Sequence, residues 1–159
     1  MRRATRSTRA VVFDLDGTLL NSLGFVLRAL EHALEPFGVL PTADIFVRLG
    51  GPPQRFLPEL LPDPRRADEV LARLATFHRT NEHLLEPYPG AADLLRGLNG
   101  AGVRIGLWTG RDRTSAQALL RRLELESLFG AVVCGDDLDS HKPDPAGMRL
   151  SLCQWAVSA

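Results

Sequence analysis

Residues 10–22 read AVVFDLDGTLLNS, and the reading of this stretch decides the fold. Ala10 to Phe13 is a short apolar run with two β-branched valines that stops at Asp14, the pattern of a buried parallel strand. In open parallel α/β sheets, ligands bind beyond the carboxyl ends of the strands. Asp14 and Asp16 stand i, i+2 at such an end, a spacing that suits a nucleophile beside a proton-transfer group, or a hard-cation site. An acidic turn competes with that reading, because Asp and Gly are turn formers in their own right.

Upstream, MRRATRSTR carries four arginines and no acid. It is too short for a transit peptide, so a solvated basic arm is expected over 1–9. Downstream, Leu23, Val26, Leu27, Leu30, Leu34 and Phe37 recur at helical spacing until Gly38. Gly50-Gly51-Pro52-Pro53 breaks regular structure, and Asp63-Pro64 reads as an N-cap followed by the first helical position. A long helix should follow on Val70, Leu71, Leu74, Phe77, Leu84 and Leu85. Residues 21–87 therefore read as an all-helical block.

After Pro87-Tyr88-Pro89-Gly90, helix and strand signals alternate. Ala91–Leu98 is a short helix, Val103–Trp108 a strand ending in Thr109-Gly110, and Ala131–Cys134 a strand ending in Gly135-Asp136-Asp137. Thr114-x-x-Gln117 reads as a capping box that opens one helix, and Asp144-Pro145 opens a last one running toward Trp155. Strands alternating with helices imply right-handed crossovers and an α/β parallel sheet. Thr109-Gly110 offers a hydroxyl and backbone N–H groups suited to an anion, although Thr and Gly end many strands for structural reasons alone.

Composition sets the outer bounds. The chain has 159 residues, 45% of them hydrophobic, with 19 basic and 19 acidic side chains. That supports one good core or two small ones and argues against disorder. Zero formal charge gives no reason to expect nucleic acid or an anionic membrane as a partner, and no apolar run approaches the roughly 20 residues of a membrane span. Cys134 and Cys153 cannot build a disulfide framework, which suits a reducing, cytoplasmic setting. The basic side chains are 18 arginines and one lysine, Lys142. Lysine is a compact point charge where arginine is a planar fork, so Lys142, in the proline-bounded His141-Lys142-Pro143-Asp144-Pro145 loop, is a functional candidate.

DLDGTL at 14–19, LWTG at 107–110 and HKPDP at 141–145 occur in the order and spacing of the haloacid dehalogenase superfamily. The helical insert resembles the cap of its phosphoglycolate phosphatase-like branch. The resemblance implies a three-layer, Rossmann-like α/β core made of 10–20 and 88–159, with the helical cap inserted at 21–87. It implies that Asp14 is the nucleophile toward a phosphate monoester, forming an aspartyl-phosphate. Asp16 would be the acid and base, and Lys142 would neutralise shared charge. Mg²⁺ would be the cofactor, with Asp14 and the Asp16 carbonyl as ligands. Thr18, Thr109 and Gly110 would bind the phosphoryl group, and Arg55 in the cap, with Arg48, Gly50 and Gly51 nearby, the rest of a small phosphorylated metabolite. Asp16 favours a phosphatase over a dehalogenase, and a cap without lysine excludes Schiff-base phosphonate cleavage.

One departure sets a second expectation. The family's fourth motif, an acidic GD-type loop after a further strand, does not follow HKPDP here, so the final core strands are expected to be missing. The strand at Ala10–Phe13 would then be an exposed sheet edge, open to self-association, with weak Mg²⁺ binding and low turnover. Gly135-Asp136-Asp137 would not substitute, since the third strand lies two places, about 10 Å, from the first. The alternatives are an inactive remnant acting as a binding or association module, and a sugar phosphomutase.

Overall fold

The computed structural model describes residues 9–42, 45 and 53–157. The basic arm before Arg9 and the Arg48, Gly50 and Gly51 segment lie outside the described residues. Three strands, β1 (Ala10–Phe13), β2 (Arg104–Trp108) and β3 (Ala131–Val133), form one parallel sheet in the order β1-β2-β3. Val12 pairs with Gly106, and Trp108 with Val133. Their carboxyl ends therefore lie along one side of the sheet, and β3 stands two places from β1 as expected.

Side-chain alternation along β2 builds the layers. Ile105 and Leu107 are buried on one face with Leu95 of α4 (Ala91–Gly100) and Leu119 and Leu120 of α5 (Arg113–Arg122). Full burial of a leucine such as Leu107 contributes about 2 kcal/mol. On the opposite face Gly106 leaves room for Trp155 of α6 (Ala146–Val157), whose ring would stand 2.9 Å from any added Cβ. Helices thus cover both faces of the parallel α/β sheet that the sequence pattern implied, giving the three-layer arrangement that the resemblance implied.

The helical layer has its own core. Ala29, Leu30, Ala33 and Leu34 of α1 (Leu23–Leu34) pack with Leu57 of α2 (Pro53–Leu60) and Val70 and Leu74 of α3 (Ala67–Asn81). Phe25 of α1 and Phe77 of α3, ring centroids 5.5 Å apart, join this core to the one under the sheet. Two linkers running side by side connect the layers: the Asn21 N–H donates to the Glu86 carbonyl (3.0 Å) and the Tyr88 N–H to the Leu19 carbonyl (2.9 Å). Among the described residues no helix is long and apolar enough to cross a membrane.

Two local expectations are corrected. The N-cap of α5 is Asp112, which accepts the Ser115 N–H at 2.9 Å. Its extended backbone and shorter reach win, leaving Thr114 inside the first turn instead of heading a capping box. The long helix also ends at Asn81; a single 3₁₀ turn, Glu82–Leu84, follows, so that Leu84 is exposed while Leu85 is buried. The Asp63-Pro64 signal opens another 3₁₀ turn, Pro64–Arg66, with Asp63 accepting the Arg65 N–H, before α3 begins.

Candidate active site

The site grows from the turn after β1. Leu15 is fully buried, and its carbonyl accepts the N–H groups of Thr18, Leu19 and Leu20. This anchor leaves Asp14 and Asp16 half-buried, at the sheet's carboxyl side. Gly17, at φ +76°, takes a conformation that costs glycine least. Its N–H donates to the Leu20 carbonyl (2.9 Å) and the buried Ser22 hydroxyl (3.1 Å).

Lys142 reaches this turn across 128 residues of sequence. Its ammonium donates a short hydrogen bond to Asp14 Oδ1 and another to the Trp108 carbonyl at 2.8 Å, and it stands 5.0 Å from the Trp108 ring centroid. The lone lysine is thus aimed by β2's last residue onto the carboxylate at the end of β1. A cleft of about 90 Å³ lies beside it, lined by residues including Thr109, Gly110, Gly135, His141 and Lys142. Thr109 is buried; its N–H is taken by the Val133 carbonyl and its hydroxyl accepts the Arg111 N–H at 3.2 Å. The hydroxyl hydrogen stays free to rotate toward an anion.

Asp16 has a different partner. The Arg111 guanidinium grips it through Nε (2.7 Å) and Nη2 (2.8 Å), and its Nη1 donates to Glu82 Oε1 at 2.9 Å and to the Ser115 hydroxyl at 3.3 Å. Burial alone would raise the Asp16 carboxyl, but the Arg111 hydrogen bonds and charge, with help from Ser22, bring it below its ordinary value. Burial likewise acts to lower Arg111, and the two carboxylates reverse it. His78, edge-on to Phe25 at 5.1 Å, is held below the usual histidine value first by burial and then by Arg111's charge.

The remaining candidates are placed elsewhere. Thr18 is exposed at the turn, and Arg55 is exposed on α2, outside the cleft lining. Arg111 and Glu82 escaped the sequence reading. Arg111 directly follows Thr109-Gly110 and so had a positional cue; Glu82, 29 residues earlier at a helix end, had none.

The implied Mg²⁺ can be tested against the donors present. It favours oxygen ligands, binding through one or two carboxylates and keeping several waters. Asp14 has a carboxylate oxygen beyond the one given to Lys142, and the Asp16 backbone carbonyl is a second hard donor in the same turn. These fit in kind but are few: among the described residues no three His, Cys, Asp or Glu side chains cluster to hold an ion. Asp136 and Asp137 are committed to Arg113 and to backbone N–H groups.

The sequence profile of the haloacid dehalogenase-like hydrolases matches residues 11–158. A phosphoglycolate phosphatase of Cereibacter sphaeroides is 35% identical over 150 residues, covering 89% of this chain and 69% of that protein. A phosphorylated carbohydrates phosphatase of Thermotoga maritima is 32% identical, covering 86% of this chain and 65% of the relative. Among solved structures, CbbY from Rhodobacter sphaeroides, in complex with phosphate, superposes with a TM-score of 0.73 over 94% of this chain and 73% of that one, at 23% identity, a likeness of fold.

Proposed function

The chain belongs to the haloacid dehalogenase-like hydrolases and is an enzyme of the phosphatase type, and from that premise we propose that it hydrolyses phosphate monoesters of small metabolites through an aspartyl-phosphate on Asp14. The observation that carries the reading is the Lys142–Asp14 contact beside the Thr109-Gly110 cleft, which unites three distant segments at the carboxyl ends of two strands.

In the first half-reaction a carboxylate oxygen of Asp14 bonds to phosphorus as the bond to the ester oxygen breaks, and Asp16 supplies a proton to the departing alkoxide. In the second, water attacks the same phosphorus, Asp16 takes the proton, and Asp14 leaves with inorganic phosphate formed. Lys142, the Thr109 hydroxyl and the Gly110 N–H bind the charge that accumulates on the phosphoryl oxygens. Asp14 and the Asp16 carbonyl would hold Mg²⁺, which offsets the repulsion between carboxylate and phosphate dianion. With Asp16's side chain held by Arg111 and the β3 aspartates held by Arg113, Asp14 is the carboxylate left for the cation, so we expect weak Mg²⁺ binding and slow turnover. The cap, residues 21–87, selects the substrate, with Thr18, exposed on the turn after β1, and Arg55, exposed on the cap, as the contacts. The named activities of the relatives point to phosphoglycolate or a sugar phosphate.

The test is phosphate release from p-nitrophenyl phosphate, phosphoglycolate and a hexose phosphate with rising Mg²⁺. Slow, cation-dependent hydrolysis that stops with chelator and with Asp14→Asn is expected. Hydrolysis that survives either treatment would overturn the reading, and phosphoryl transfer to a second sugar hydroxyl in place of water would replace it with a mutase.

A further inference from the structure

Both oxygens of the Asp16 carboxylate accept hydrogen bonds from Arg111. A bidentate fork fixes the orientation of the carboxyl it grips, so Asp16 can swing an oxygen toward a leaving group only if the guanidinium yields at some point in turnover. The structure also shows what it can yield to. Arg111 is only 9% exposed, and its third nitrogen already rests on Glu82, in the 3₁₀ turn where the helical layer returns to the sheet layer. Ser115 of α5 stands within reach of both Arg111 (3.3 Å) and Glu82 (3.4 Å), so the three side chains form a closed set. Arg122 fastens the same turn, donating to the carbonyls of Glu82, His83 and Leu85. The return linker is thereby tied to the sheet layer by two arginines, one of which also grips Asp16.

We propose that Arg111 is a positioning residue for Asp16, shared between Asp16 and Glu82, so that displacement of the cap's return linker sets how firmly Asp16 is held. A planar fork with several fixed donors can bridge two carboxylates in this way; a lysine point charge cannot. The inference rests on the function proposed above, since it assigns Asp16 the proton transfer. Its geometric core, one guanidinium coupling two carboxylates from different layers, does not depend on that assignment.

Two experiments separate these levels. Glu82→Gln weakens the competing acceptor, leaving Arg111 with Asp16. The ratio of kcat/KM for an alkyl phosphate to that for p-nitrophenyl phosphate should then fall by about tenfold, because a poor leaving group needs Asp16's proton and a good one does not. A merely structural defect lowers both rates together and leaves the ratio unchanged, which would refute the proposal. Thermal unfolding of Asp16→Asn, Glu82→Gln and the double variant, measured without divalent cation, tests the coupling whether or not the chain turns over. Because the double variant leaves a buried guanidinium unpaired, its loss in Tm should exceed the sum of the single losses by roughly 2–4 °C. Additive losses would overturn the proposal, whereas coupled losses in a protein with no hydrolysis of either ester would sustain the shared arginine and reject the phosphatase role.

Discussion

Two pairs of aspartates end two strands of the same sheet, and they are handled in opposite ways. At β1, Asp14 and Asp16 are half-buried, and each is met by one cation from far along the chain, Lys142 or Arg111. At β3, Asp136 and Asp137 are consumed locally. Asp137 accepts from the Cys134 N–H and from Arg113, and Asp136 accepts the Arg113 N–H at the start of α5. Arg113 and Asp137 therefore close a brace between β3 and α5, and burial beside that brace pushes the Cys134 thiol up to about 11. The lesson is that carboxylates at a strand end gain a chemical role through what is left unpaired around them. Asp14 retains one oxygen and a partner, Lys142, that lines the cleft, whereas both oxygens of Asp137 are taken.

The largest expected effect separates the pairs directly. Asp14→Asn should lower phosphatase activity by at least ~10³-fold with an unchanged melting curve, as removal of a nucleophile does. Steady-state rates and melts on the same sample check it; equal activity would erase the distinction. Lys142→Met should cost about 10²-fold in kcat, the scale for losing one preorganised charge donor at the transferring group. The converse holds at β3: Asp137→Ala should leave the rate within about twofold but cost about 1–2 kcal/mol of stability by stranding the Cys134 N–H and Arg113, toward the lower end because Arg113 is partly solvated. Denaturant titration reads this, and a large rate loss without destabilisation would move Asp137 into the reaction.

The smallest effect concerns pH. His78 has a folded-state value below its ordinary 6.5, with burial as the first cause and Arg111's charge as the second. The folded state therefore resists protonation there: the stabilisation is complete above about 6.5 and is lost as pH falls through the lower folded-state value. His78→Gln should flatten the decline in melting temperature between pH 7 and 5. A decline as steep as that of the unsubstituted chain would place its origin elsewhere.

Much of the fold was legible because period and punctuation are local signals. The run at Ala10–Phe13, the apolar β2 and the stripe of α1 each declare their element within a dozen residues. Helix ends were less legible: Asp112 and Thr114 both qualify as caps, and only the chain path from Thr109 decides for Asp112. For the site, Asp14, Asp16, Thr109 and Lys142 could be found because strand ends and a single lysine mark them. Arg111 was hidden among 18 arginines, and Glu82 among charged residues closing a helix. Their meaning lies in a contact spanning 95 residues for Arg111–Asp16 and 29 for Arg111–Glu82, which no local pattern encodes.

The central claim is that Asp14 becomes covalently phosphorylated. The most direct test is to acid-quench the chain milliseconds after mixing with ³²P-labelled phosphoester and Mg²⁺, digest it, and locate the label. The account predicts an acid-stable, hydroxylamine-labile phosphate on the peptide bearing Asp14, absent from Asp14→Asn and unaffected by Asp137→Ala. Label on another residue, or phosphate release with no labelled protein at any time, would contradict it.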